Sequence, residues 1–159
     1  MRELGIVEVR VATEDDTPVL ILKEAEGPRH LAIWMTAAGA AGILAALEAP
    51  DVDHPSPHDL VVDLCELLGH RVKAVQLVGH QEGTFYAEVL VDDVELPARP
   101  SDALAIALRA GVPILCAEGV LAAVGFDPEA DAAPPEQVVE AFREFLDSVN
   151  PDDFEDGEP

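Results

Sequence analysis

Aromatic residues make up only 4% of this 159-residue chain, so its core must be assembled from Val, Leu, Ile and Ala. Basic residues are also few. Nine Lys and Arg stand against 32 Asp and Glu, a formal net charge of −23, and no clustered basic face of the kind that grips nucleic acid can be drawn from them. The only cysteines, Cys65 and Cys116, each sit inside an apolar run. They suit buried thiols in a reducing cytoplasm, with a disulfide between them as the lesser alternative, and neither has a neighbour at the spacing of a sulfur-ligated zinc site. No window reaches the roughly 18 apolar residues that cross a bilayer, and the first residues enter a strand-like pattern with no signal-peptide design. A Walker loop, a Rossmann glycine set and a Gly-x-Ser-x-Gly elbow are all missing, so nucleotide-cofactor and esterase chemistry find no footing and no organic cofactor is expected.

What is present is a chain that is 49% apolar, enough for one sizeable core and of one domain's length. Residues 4–13 alternate as a half-buried strand, and Pro18–Lys23 forms its hairpin partner after Asp15-Asp16. Leu31–Trp34 is a third strand. Thr36 caps a helix from Ala37 to Leu47. Ser56, Pro57 and Asp59 make the start of a second helix, an approximate capping box with proline at the first position. Its apolar face is read as Leu60, Val61, Leu64, Leu67 and Leu68, and Gly69 closes it. Strands at 71–78, 84–91 and 94–96 follow. Ser101 is expected to cap a third helix ending at Gly111, before a buried strand at Val112–Cys116 and a short helix at Val120–Val124.

The layout is α+β: a single domain whose mixed, largely antiparallel sheet packs against helices. The expected division is a domain at 1–126, a linker and amphipathic helix at 127–150, and a disordered acidic tail at 151–159. From Asp127 onward the chain carries −11. Strand segments such as Leu20–Leu22 and Val89–Val91, if exposed, invite self-association, so a homo-oligomer is expected.

Three stretches carry a resemblance: His58-Asp59-Leu60, then Gly83-Thr84-Phe85-Tyr86-Ala87, then Arg99-Pro100-Ser101-Asp102-Ala103 running on to Arg109. In this order and spacing they resemble the bifunctional nuclease domain of bacteria and plants, with support from Ile33-Trp34, Pro113-Ile114 and Glu118. The match runs over residues 4–126. It departs from the family's pattern at Met35–Gly39 and at Pro57. The resemblance implies a nuclease hydrolysing both DNA and RNA, and the cysteine usage leads to the expectation that it works in the cytoplasm.

Such hydrolysis requires an activated water and charge stabilisation on the phosphoryl oxygens, commonly supplied by Mg²⁺ or Mn²⁺ on carboxylates, a His and an Arg. The catalytic candidates are His58, Asp59, Arg99 and Asp102. Asp59, Asp63 and Glu66 recur on one helical face, and with Glu118 they form the candidate metal set. The plain alternative is a solvated helix face with Asp59 as a cap residue. Ser101 and Tyr86 are the substrate-binding candidates: Ser101 through a helix start that can hold an anion, Tyr86 by stacking on a base. Arg99–Asp102 equally reads as an ordinary helix entry. The net charge opposes tight binding of long nucleic acid. A second hypothesis is therefore a non-catalytic oligomeric module that docks a protein partner through its apolar core surface or the 136–149 helix.

Overall fold

The computed structural model describes residues 1–11 and 16–131. In chain order they form β1 (Arg2–Val11), β2 (Pro18–Glu24), β3 (His30–Trp34), α1 (Ala37–Leu47), α2 (Pro57–Leu67), β4 (Val72–Gln81), β5 (Thr84–Val91), β6 (Val94–Ala98), α3 (Pro100–Ala110), β7 (Ile114–Cys116) and α4 (Glu118–Val124). All of these lie in one compact unit, Met1–Asp127, with a second unit from Pro128 onward. The expected helix at 136–149 and tail at 151–159 fall outside the described residues.

The strands make one sheet in the order β3-β2-β1-β7-β4-β5-β6. Each half is an antiparallel meander of alternating segments, β1–β3 and β4–β6. At the β4–β5 turn Glu82 and Gly83 have φ of 50° and 81°. Two consecutive positive φ values are the signature of the hairpin turn whose twist matches that of the strands, and glycine adopts them without steric cost. β7 joins the halves, antiparallel to β1 and parallel to β4. The fold is therefore α+β with a mixed, largely antiparallel sheet. Leu20, Leu22 and Val89 prove to be buried inside this sheet, so the edges belong to β3 and β6 instead. Non-local pairing through β7, invisible in local alternation, decides this.

The helix entries follow local chemistry. Thr36 Oγ1 accepts a hydrogen bond from Gly39 N at 3.1 Å. Ser56 Oγ accepts from Asp59 N at 3.2 Å while Asp59 Oδ2 accepts from Ser56 N at 2.7 Å, a reciprocal capping box. α3 departs from expectation. It starts one residue early, with Pro100 in its first turn and Arg99 at the cap position, and Arg99 makes no side-chain capping bond. Proline's fixed φ and missing N–H suit the first helical position, which leaves Ser101 inside the first turn.

α3 is the centre of the helical layer. Ala103 to Ala107 are buried on every side, because α3 lies against β4 and β5 while α1 and α2 pack on it. Alanine-rich sequence makes this close packing possible. α2 is the clearest departure from the sequence reading. Its expected core face is exposed, with Leu64 at 55% and Leu67 at 82%, and the residue it buries is Asp59. Val62 and Cys65 are half-buried beside it. Among the described residues no helix is long and apolar enough to cross a membrane.

Leu104 has no solvent exposure at the junction of sheet and helices. Leu104→Ala is expected to lower stability by about 2–5 kcal/mol, measured by urea unfolding at unchanged slope.

Candidate functional site

α2 begins against α3, and two consecutive residues of its first turn reach two different turns of that helix. His58 Nε2 lies 3.1 Å from Asp102 Oδ1. Asp59 Oδ1 forms an ion pair with Arg109 Nε, both side chains being about nine-tenths buried. The contact is an ion pair rather than a well-directed hydrogen bond, since Arg109 Nε finds no partner with hydrogen-bond geometry. Arg109 also donates to Glu48 O and Ala45 O, each at 3.1 Å, closing the end of α1. A single guanidinium thus ties together the end of α1, the start of α2 and the end of α3.

α1 comes close because it carries glycine where it meets these residues. A Cβ on Gly42 would sit 2.8 Å from His58 Cε1, and one on Gly39 would sit 2.9 Å from Ser101 Cβ and Oγ. The imidazole is therefore held between α1 and α3, with 18% of its side chain exposed.

Asp102 is shared. Its Oδ1 meets His58, and its Oδ2 accepts from Arg99 Nε at 2.6 Å. Burial pushes the Asp102 carboxyl up, but hydrogen bonds from Arg99 and His58 outweigh it, and the group is held below the usual carboxylate range. An ionised Asp102 is an acceptor only, so His58 Nε2 carries the proton and Nδ1 is left as the basic nitrogen. Among the described residues Nδ1 has no hydrogen-bond partner. Arg99 spends only Nε on Asp102 and is 78% exposed, so its two terminal amino groups point outward.

Arg99 forms one wall of a cleft of about 260 Å³ together with Ser101, Thr36, Thr84, Phe85 and Trp34. Trp34, the only tryptophan in the chain, is 60% exposed at the end of β3. The sequence reading used it only in support of the resemblance and not as a site residue. The signal was there in an aromatic closing a strand immediately before a helix cap, where side chains gather at an open end of a sheet. Strand alternation sets Phe85 and Tyr86 on opposite faces of β5. Phe85 lines the cleft, while Tyr86 lies over Gly79 of β4 and is half exposed.

The four proposed metal ligands do not assemble. Both Asp59 oxygens are occupied, one by Ser56 N and the other by Arg109. Asp63 shares with Asp59 the wall of a separate cleft of about 470 Å³, and Glu66 is exposed. Glu118 pairs with Arg2 at 3.0 Å, in a cluster where Arg2 also faces Glu24 at 3.5 Å. Among the described residues no group of three His, Cys, Asp or Glu side chains is disposed to hold a metal ion. Among the described residues this donor set does not fit Mg²⁺ or Mn²⁺. Of the catalytic candidates, then, His58, Asp102 and Arg99 come together with Ser101 next to them, whereas Asp59 serves the frame.

Residues 20–129 match the family model of the bifunctional nuclease domain. Two proteins from strains of Mycobacterium tuberculosis, each named as uncharacterized, are 50% identical to the chain over 163 aligned positions. The alignment covers 97% of the chain and 98% of each relative.

Removing one partner of a buried pair leaves the other charge uncompensated. Arg109→Ala is expected to cost about 3–5 kcal/mol, read by chemical denaturation. For the Asp59 carboxyl, burial acts upward, and the hydrogen bonds from Ser56 and the nearby Arg109 charge prevail downward. A depressed carboxyl contributes stability above its unfolded value of about 4, and the contribution is lost as pH falls through the folded value. The stability gap between wild type and Asp59→Asn should therefore narrow as pH drops below about 4. A gap that stays constant down to the acid transition would contradict this linkage.

Proposed function

The chain belongs to the bifunctional nuclease domain family, and from that premise we propose that it hydrolyses phosphodiester bonds of DNA and RNA at the Arg99–Asp102–His58 constellation. The observation that carries this reading is the bridging carboxylate of Asp102, which holds a guanidinium at 2.6 Å and an imidazole at 3.1 Å in one frame. Preorganisation of this kind supports the reaction because groups already in place need no reordering as charge develops.

In this reading the phosphate sits against the free amino groups of Arg99, which match phosphate oxygens in a fork, with Ser101 beside it. His58 draws the proton from the attacking water at Nδ1. Asp102 fixes the tautomer and steadies the imidazolium that results, the usual work of a carboxylate behind a catalytic histidine. Trp34 and Phe85 offer ring faces to an unpaired base in the adjoining cleft, so single-stranded segments are the better substrates. A chain of net charge −23 repels long polyanions, which suits short contacts, fast release and binding that strengthens with screening salt.

His58→Ala is expected to slow cleavage of a fluorescent single-stranded oligonucleotide by about 100- to 10,000-fold. Asp102→Asn and Arg99→Ala should each give a large loss, with circular dichroism unchanged. Gly42→Ala should reduce the rate as well, since its Cβ would displace the imidazole, while the fold is retained. Quenching of the single tryptophan by the oligonucleotide reports binding apart from chemistry. Wild-type rates in both His58→Ala and Arg99→Ala would sink the assignment.

A further inference from the structure

Trp34 stands in the wall of two clefts rather than one. On one side is the cleft already described, which Arg99, Ser101 and Phe85 also line. On the other is a wider cleft of about 520 Å³, within the roughly 300–1,000 Å³ of small-molecule sites. Met35 and Thr36 border both, so the two clefts form one groove with the exposed indole between them. The backbone fixes this arrangement. Met35 N donates to Pro18 O at 3.1 Å, tying the end of β3 to the start of β2, and Thr36 caps α1 immediately afterwards. The two clefts differ in charge. The first is lined by Arg99 and by no acid among the described residues. The second is lined by Asp16 and by no base among the described residues, and Pro18, Met35 and Ala37 make it largely apolar.

We propose that this groove receives the end of a strand: a phosphate is held at Arg99, and the terminal nucleoside, ending in a hydroxyl rather than a phosphate, lies beyond Trp34 against Asp16. The placement rests on the hydrolytic reading of the Arg99–Asp102–His58 constellation and names the substrate that it takes. A phosphodiester at Arg99 carries a nucleoside on each side, and an indole stacks on any base. Were the strand to continue, its next phosphate would meet a wall with a carboxylate and no cation, where like charges repel and lost hydration is not replaced. A terminal hydroxyl brings no charge and can donate to the carboxylate. The substrate class is therefore single-stranded oligonucleotides with a hydroxyl end, and Trp34 and Asp16 are the specificity-determining residues. Asp16 has a φ of 50°, a left-handed conformation that Asp and Asn adopt more readily than other side chains. Asp16→Asn therefore removes the charge and keeps the backbone.

Two isomeric probes separate this placement from the general repulsion of an acidic protein. A thymidine dinucleotide phosphorylated at its 5′ end and one phosphorylated at its 3′ end carry the same charge. Only one of them puts the extra phosphate beyond Trp34. Binding is read by quenching of the single tryptophan in the full chain carrying His58→Ala, so that turnover does not intrude. The two isomers should differ in affinity by on the order of 10-fold. The difference should shrink as salt is added and vanish when Asp16→Asn is introduced. Equal binding of the isomers with Asp16 in place, a difference undiminished by Asp16→Asn, or no quenching by either isomer would overturn the proposal. Cleavage by the unaltered chain supplies the second readout. A linear single strand should be shortened from one end while a circle of the same sequence stays intact, and a circle cut as fast as the linear strand would also overturn it. Isomers that differ through Asp16 while neither strand is cleaved would support the strand-end site and remove the hydrolytic reading of the constellation.

Discussion

The arrangement of this domain depends on one buried ion pair, Asp59 with Arg109. Arg109 belongs to the last turn of α3, yet its side chain reaches α2 and at the same time satisfies two carbonyls at the end of α1. Helix ends leave their final carbonyls without intrahelical partners, and here a guanidinium supplies them. The charge is not stranded, because Asp59 meets it and is itself anchored by the capping box of its own helix. Once that contact is made, the first turn of α2 has one orientation on α3, and the neighbouring His58 is delivered to Asp102.

That constraint explains two features that otherwise look unrelated. One is the glycine pair in α1: Gly39 and Gly42 occupy the places where a side chain would collide with Ser101 and His58. A helix interior gives up roughly 0.5–1 kcal/mol for each glycine relative to alanine, and here the close approach of a functional side chain is what is obtained. The other is the outward leucine stripe of α2. The side of the helix used for positioning chemistry is polar, so the apolar side is left to water or to a partner.

Charge shapes how such a site can work. The acidic body offers no long electrostatic track for a duplex, and its cationic contribution at the cleft is the outer edge of one arginine. In the proposed reaction, recognition rests on a local grip on one phosphate and on ring contacts with an unpaired base. The acids nearest the constellation are engaged: Asp102 by Arg99 and His58, and Asp59 by Arg109. Their negative charge is thereby offset at the constellation itself.

Local chemistry was legible in the sequence. Thr36 and Ser56 as caps, proline at the start of α2, the antiparallel strand pairs and the α+β layout all depend on residues a few positions apart, and the structure has them there. The three matching stretches likewise pointed to His58, Arg99 and Asp102 together. Tertiary structure alone decided which carboxylate would meet His58 and which would anchor a guanidinium. Asp59 and Arg109 are 50 positions apart in the chain, so nothing in helical spacing could distinguish a metal ligand from the anchor of a buried guanidinium. Periodicity likewise showed that α2 has an apolar stripe but not which way it faces. A helical pattern defines a face, and only contacts made elsewhere in the fold determine whether that face lies against the core or away from it.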